Sequence, residues 1–161
     1  MSDVGAGAKE YREETLGKRL HKIKEWLGID VRLLPSGGYY HTTPYKNLKS
    51  IMRVGLFPGG GEGLSYKYEL APIEDKAIFL GRTPQDSLEQ VMWSEGDTPT
   101  VKWVLLKVSL PQELDELIQE DDYGYPYLTV KIPPKYITPI KYFKMLKPYH
   151  GEYEGEYEGL K

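Results

Sequence analysis

The stretch Gly38–Gly61, which reads GYYHTTPYKNLKSIMRVGLFPGGG, determines how the rest of the chain is interpreted. It opens with Tyr39 and Tyr40, a short aromatic run that a histidine and two threonines follow directly. Pro44 fits the first turn of a helix, and Gly55 fits the left-handed residue that ends one. Between them, apolar residues recur at helical spacing: Leu48, Ile51, Met52 and Leu56. The stretch therefore predicts a strand, a helix and a glycine-rich loop, in that order.

The composition is that of an ordinary soluble domain and narrows the chemistry. The 161 residues carry a net charge of −3, so the whole chain offers no basic footprint for nucleic acid. There is no cysteine, which excludes disulfides and thiolate chemistry, and the three histidines lack ligand spacing, so we expect no metal. No apolar run is long enough to span a membrane. We expect a cytoplasmic protein without membrane contact.

The first part of the chain is predicted to be mostly helical. Residues 1–8 are small and are expected to be disordered, and a helix is predicted from Lys9 to Leu27. Ile29–Leu34 is either a short strand or the approach to a loop. Gly59–Lys76 has no period and is predicted to be a long loop, a feature that is often functional in a compact domain.

Strands are concentrated in the second part of the chain. Ala77–Gly81 predicts a short buried strand, and Thr83 predicts the N-cap of a helix that begins at Pro84. Val101–Leu110 predicts the central strand, because it is long and rich in β-formers. A short acidic helix or turn is predicted at Gln112–Glu120, and a strand at Tyr125–Ile132. The last strand, Ile137–Leu146, is predicted to lie at a sheet edge because it contains Pro139. Residues 147–161 are predicted to be a flexible acidic tail.

This order of elements predicts the α+β class, with a split and mostly antiparallel sheet and flanking helices. We expect a single domain over residues 9–146, since the length fits one hydrophobic core.

Four segments, taken in order, resemble the ADP-ribosyltransferase superfamily: YYHTT…NLKSIMRVGL, AIFLGRTPQDSLEQ, WVLLKVSL and YLTVKIPPKYI. That superfamily includes DNA-targeting toxins of the DarT kind, poly-ADP-ribose polymerases and RNA 2′-phosphotransferases. The first segment is more like the DarT group, and the last is especially like the RNA 2′-phosphotransferases. The resemblance covers about residues 38–137 and implies the ADP-ribosyltransferase-like fold.

The resemblance implies that NAD is the substrate and that the first segment binds it. Breaking the bond between nicotinamide and ribose passes through a cation-like state, as glycoside cleavage does, so the site must hold NAD in a fixed pose. By resemblance, His41 hydrogen-bonds the adenine-side ribose of NAD, the backbone of Thr42 binds the nicotinamide amide, and Thr43 supports the ribose or the nicotinamide. The alternative for His41 is a core histidine that the backbone satisfies.

The second and third motifs fall on other strands. In AIFLG the family position falls on Phe79, which either stacks on nicotinamide or is a plain core residue. Many members carry a glutamate on the strand before the IPP turn, where this chain has Tyr127 or Thr129. Glu120, Asp121 and Asp122 lie just upstream and either fold back into the cleft or are merely solvated. Glu120 is the candidate acid for catalysis, Thr129 is the second candidate catalytic residue, and Tyr127 is a candidate for binding NAD.

The resemblance therefore implies an NAD-dependent ADP-ribosyltransferase that modifies a macromolecular acceptor, either protein or nucleic acid. The missing strand glutamate leaves an alternative, which is a catalytically inactive binding or inhibitor module on the same fold. A third possibility is RNA end-processing of the 2′-phosphotransferase kind, although the histidine that those enzymes place at the second motif is Phe79 here.

Overall fold

The computed structural model describes residues 2–59, 77–92 and 101–146. The helices are α1 (Ser2–Leu27), α2 (Leu48–Val54), α3 (Pro84–Met92) and α4 (Gln112–Asp115). The strands are β1 (Tyr39–Pro44), β2 (Ile78–Phe79), β3 (Lys102–Val108), β4 (Gln119–Glu120), β5 (Pro126–Leu128) and β6 (Ile137–Lys144). Short 3-10 helices lie at Val31–Leu33, Tyr45–Asn47 and Pro134–Tyr136. These elements confirm the predicted α+β class.

The larger sheet has the order β1-β3-β6 and is antiparallel throughout. The prediction that Val101–Leu110 forms the central strand is confirmed, as is the edge position of the last strand. The pairing register shifts between Leu105 and Leu106, where β6 passes through Pro139 and Ile140. Proline has no N–H to give to a ladder, so an edge strand with a bulge is where it is tolerated.

The smaller sheet has the order β2-β5-β4 and is also antiparallel. Two isolated backbone bridges connect it and its flanking segments to the rest of the fold. Tyr40 of β1 exchanges both backbone hydrogen bonds with Gly81, and Leu56 exchanges both with Ile132. The first bridge holds the end of β2 beside the outer edge of β1.

Side chains of β3 are buried on both faces of the larger sheet, which explains its continuous apolar sequence. Trp103 and Leu105 point into a core with α1 and α3. Val104, Leu106 and Val108 point into a second core, which α2 and the smaller sheet complete. The larger sheet therefore lies between two layers. On β1, the side chains of His41 and Thr43 are on the face of the second core, and that of Thr42 is on the face of the first.

Helix α3 begins as its sequence predicts. The backbone N–H of Asp86 donates to Oγ1 of Thr83 at 3.3 Å, Pro84 is the first helical residue and Asp86 lies in the first turn. Gly55, with a φ of 92°, ends α2 as expected. Pro44 does not begin that helix, however, because it is the last residue of β1 and a 3-10 turn separates it from α2.

Other bounds differ from the sequence prediction. Helix α1 begins at Ser2 rather than Lys9, so the prediction that residues 2–8 are disordered is wrong. These residues extend the helix because adding a residue to an existing helix costs less free energy than starting a new one. Of the two alternatives for Ile29–Leu34, the strand is wrong, since the segment contains a 3-10 turn at whose start the side chain of Asp30 accepts from the backbone N–H of Arg32. The strand predicted at Tyr125–Ile132 is only Pro126–Leu128. The predicted tail at 147–161 lies outside the described residues, as do residues 93–100 and all of the predicted loop at 59–76 except Gly59.

Candidate functional site

His41 links the two sheets through its side chain. It lies half-buried on β1, and its Nδ1 is 2.8 Å from the backbone oxygen of Phe79 on β2. Because a carbonyl oxygen can only accept, Nδ1 must carry the hydrogen. In the neutral ring, Nε2 is then a hydrogen-bond acceptor. The contact therefore fixes both the orientation of the ring and its tautomer.

The charge state of His41 follows from the same surroundings. Burial lowers the pKa of His41 below its usual range, and the hydrogen bond to the Phe79 carbonyl offsets part of this effect. The imidazole is therefore neutral near pH 7 and offers an acceptor at Nε2 rather than a second donor.

The outer edge of β1 presents the backbone of Thr42. Tyr40 directs both its N–H and its C=O away from β3, since both bond Gly81. In an antiparallel pair the backbone groups of residues i and i+2 point to the same side. The N–H and C=O of Thr42 therefore also point outward, one step beyond the bridge to Gly81. Within the described part of the chain, neither group has a backbone partner there.

The two threonine side chains serve the scaffold. Oγ1 of Thr42 donates to the backbone oxygen of Ser87 at 3.1 Å, which ties β1 to α3 on the face opposite His41. Thr43 lies on the same face as His41 but is only 6% exposed, and its Oγ1 accepts from Nδ2 of Asn47 at 3.2 Å. Thr43 thereby holds the 3-10 turn that leads from β1 into α2.

Phe79 and Tyr127 are neighbours in the smaller sheet. They are directly opposite in the pairing of β2 with β5, and their ring centroids are 5.5 Å apart at 44°. Tyr127 is 3% exposed, and its hydroxyl donates to Oε1 of Gln119 at 3.2 Å, the residue opposite it on β4. Phe79 is half-buried. The structure thus joins His41, Phe79, Tyr127 and Gln119 in one continuous row of contacts.

The two candidate catalytic residues lie outside that row. Glu120 is exposed on β4, next to Gln119, and its carboxylate forms an ion pair with Arg82. Thr129 is exposed and follows the last residue of β5. The residue beside Tyr127 on β4 is therefore the neutral Gln119 and not the acid.

Sequence reasoning missed a polar cluster beside this row. The hydroxyl of Tyr39 donates to Oδ1 of Asp115 at 3.1 Å. Burial raises the pKa of Tyr39, and the bond to Asp115 adds to this, while nearby Arg82 acts in the opposite direction. The one sequence signal for this polar cluster is Arg82, a charged residue directly after the AIFLG strand. Gln119 gave no signal, because its role depends on a pairing that a single sequence does not show.

The part of the chain that the structure describes contains no cluster of three or more His, Asp or Glu side chains that could hold a metal ion. Over the same residues, no helix is long and apolar enough to span a membrane. Comparisons of the chain with protein-family models, with curated proteins and with solved structures found no match.

Proposed function

We propose that this protein binds NAD at the outer edge of β1 and transfers ADP-ribose to a macromolecular acceptor. The observation that carries the proposal is the hydrogen bond from Nδ1 of His41 to the Phe79 backbone. The bond leaves Nε2 of the neutral ring as the acceptor for a ligand beside β1. A ribose hydroxyl is the complementary donor, and the resemblance of the YYHTT segment to ADP-ribosyltransferases assigns that contact to this histidine.

Two neighbouring features support the same ligand. The outward N–H and C=O of Thr42 match the acceptor and donor of a primary carboxamide, which is the polar end of nicotinamide. Phe79, whose backbone oxygen bonds His41, adds an aromatic ring to this part of the fold, and a planar heterocycle can pack against such a ring. Thr43 has a different part in this proposal, since its hydroxyl supports the turn into α2.

The test is a thermal-shift titration with NAD on the parent and on His41→Ala, each compared with its own ligand-free melting temperature. A ligand that binds the native state stabilises it by RT ln(1 + [L]/Kd), so the parent should show a rise that grows with NAD. His41→Ala should lose the rise. The matched control is His21→Ala, because His21 is 80% exposed on α1 and should leave the shift unchanged. An equal shift in all three proteins would contradict the proposed site.

A second candidate, a binding module without transfer activity, is favoured by one observation. The carboxylate of Glu120 is paired with Arg82, and neutral Gln119 lies next to Tyr127. Loss of a group that stabilises developing charge typically lowers the rate about 10²–10³-fold. Incubation with radiolabelled NAD and candidate acceptors separates the two functions. Transfer of label that Glu120→Gln abolishes supports the enzyme, whereas an NAD-dependent thermal shift without transfer supports the module.

A further inference from the structure

An open groove of about 360 Å³ lies at the end of the larger sheet, away from the contact between His41 and Phe79. Tyr45, Lys102, Tyr142, Phe143 and Lys144 line it. Lys102 and Lys144 are directly opposite each other in the pairing of β3 with β6. We call this feature the tyrosine groove.

Two exposed aromatic rings form its walls. Tyr45 is 46% exposed and Tyr142 is 57% exposed, and their centroids are 5.7 Å apart at 69°. The ammonium of Lys102 lies 6.0 Å from the centroid of Tyr45. The rings pack against each other by an edge and leave aromatic surface open to a ligand. An exposed ring offers a planar ligand the energy of stacking.

The described segments that form the groove carry charge of one sign. Residues 38–59 contain β1 and α2, residues 101–112 contain β3, and residues 123–146 contain β5 and β6. Together these three segments contain nine lysines and arginines but no aspartate or glutamate. The whole chain is nevertheless acidic, with a net charge of −3. Among the described residues, Lys102 and Lys144 form no ion pair with a carboxylate. The groove is therefore complementary to an anion that also carries flat rings.

We propose that the tyrosine groove binds single-stranded nucleic acid, with an unpaired base stacked on Tyr142, the more exposed of the two rings, and the adjacent phosphates at Lys102 and Lys144. Aromatic side chains beside a cationic track are how proteins bind single strands without reading their sequence. A duplex keeps its bases stacked on each other and does not offer a free face to the rings. An acidic peptide would use the lysines and leave the rings without a role.

The groove shares a face of the sheet with the candidate NAD site. Thr43, Val104 and Tyr142 are opposite one another across β1, β3 and β6, so Tyr142 lies two strands, or about 10 Å, from Thr43. Val104, which lies between them, is fully buried, so the groove does not continue along this face to His41. Binding itself does not require NAD.

The experiment measures the fluorescence anisotropy of a labelled oligo(dT) of about 12 nucleotides at about 50 mM salt, without NAD. Tyr142→Ala should weaken binding about tenfold, because it removes a stacking ring, and Tyr142→Phe should restore it. The double variant Lys102→Gln/Lys144→Gln should weaken binding and reduce the slope of log K against log[salt] by about 1.4.

The matched control removes the same charge elsewhere. Lys18→Gln/Lys24→Gln changes two exposed lysines of α1 and should leave the affinity at the parent value. The inference is overturned if the parent does not bind the oligonucleotide, or if Tyr142→Ala binds as tightly as the parent. It is also overturned if the control loses as much affinity as the groove variant, or if a duplex or poly-glutamate binds as tightly as oligo(dT). Because NAD is absent, failure of the NAD titration leaves the outcome of this test unchanged.

Discussion

Replacing Gly55 with alanine is expected to destabilise the protein much more than the same change at Gly37. Both glycines have positive φ, 92° and 90°, which costs an alanine at least about 1–2 kcal/mol, and the ψ of −174° at Gly55 gives a combination that is almost confined to glycine. They differ in their surroundings. A Cβ on Gly55 would lie 2.2 Å from the backbone oxygen of Ile132, whereas a Cβ on Gly37 would have no atom within 4 Å.

The difference can be estimated from the bonds at risk. Relieving the contact at Gly55 requires Ile132 to move, and Ile132 exchanges two backbone hydrogen bonds with Leu56, at 3.0 and 2.9 Å. Each contributes about 1 kcal/mol. We therefore expect Gly55→Ala to lower the free energy of unfolding by about 3–4 kcal/mol and Gly37→Ala by about 1–2 kcal/mol.

Urea denaturation of the parent and both variants at 25 °C, followed by circular dichroism, measures these free energies. The slope of the free energy with urea should be the same for the three proteins, so that the midpoints report stability. If Gly55→Ala is no less stable than Gly37→Ala, the close approach of α2 to Ile132 does not contribute as described.

Two further predictions concern a helix and a histidine. Gly17→Ala should raise the free energy of unfolding by about 1 kcal/mol in the same assay, because Gly17 lies within α1 with open space around its Cα; a decrease would contradict the helical environment. His41 should make stability depend on pH. Its folded pKa lies below the ordinary value of about 6.5, so the unfolded chain takes up the proton first. The contribution of the neutral ring to the free energy of unfolding is complete above about pH 6.5, and it is lost as the pH falls through that value toward the folded pKa. His41→Gln should lose less stability than the parent between about pH 7 and pH 5, and parallel pH profiles would refute the buried neutral ring.

The sequence predicted elements whose signals are local. The long, β-rich run at Val101–Leu110 indicated the central strand, and Thr83 with Pro84 indicated the start of α3. These signals depend on residues close together in the chain. Pro44 was misassigned because a proline fits both the first turn of a helix and the end of an edge strand.

The candidate site was only partly predictable for the same reason. The YYHTT segment indicated His41, but its hydrogen bond to Phe79 crosses from one sheet to the other. The pairing of Glu120 with Arg82 likewise joins elements far apart in the chain. Such contacts depend on strand order and register, which local periodicity does not encode.

The order of strands in the larger sheet has a consequence for how the chain folds. The pairing of His41 with Leu106 closes a loop of 65 positions, and the entropy lost in closing a flexible loop of that length is about 4 kcal/mol. The pairing of β3 with β6 spans a shorter stretch, so it has the smaller entropic barrier. During synthesis β6 emerges last, and β3 lacks one of its two partners until then. We expect the central strand to acquire its neighbours late and slowly, as in other folds dominated by distant pairings.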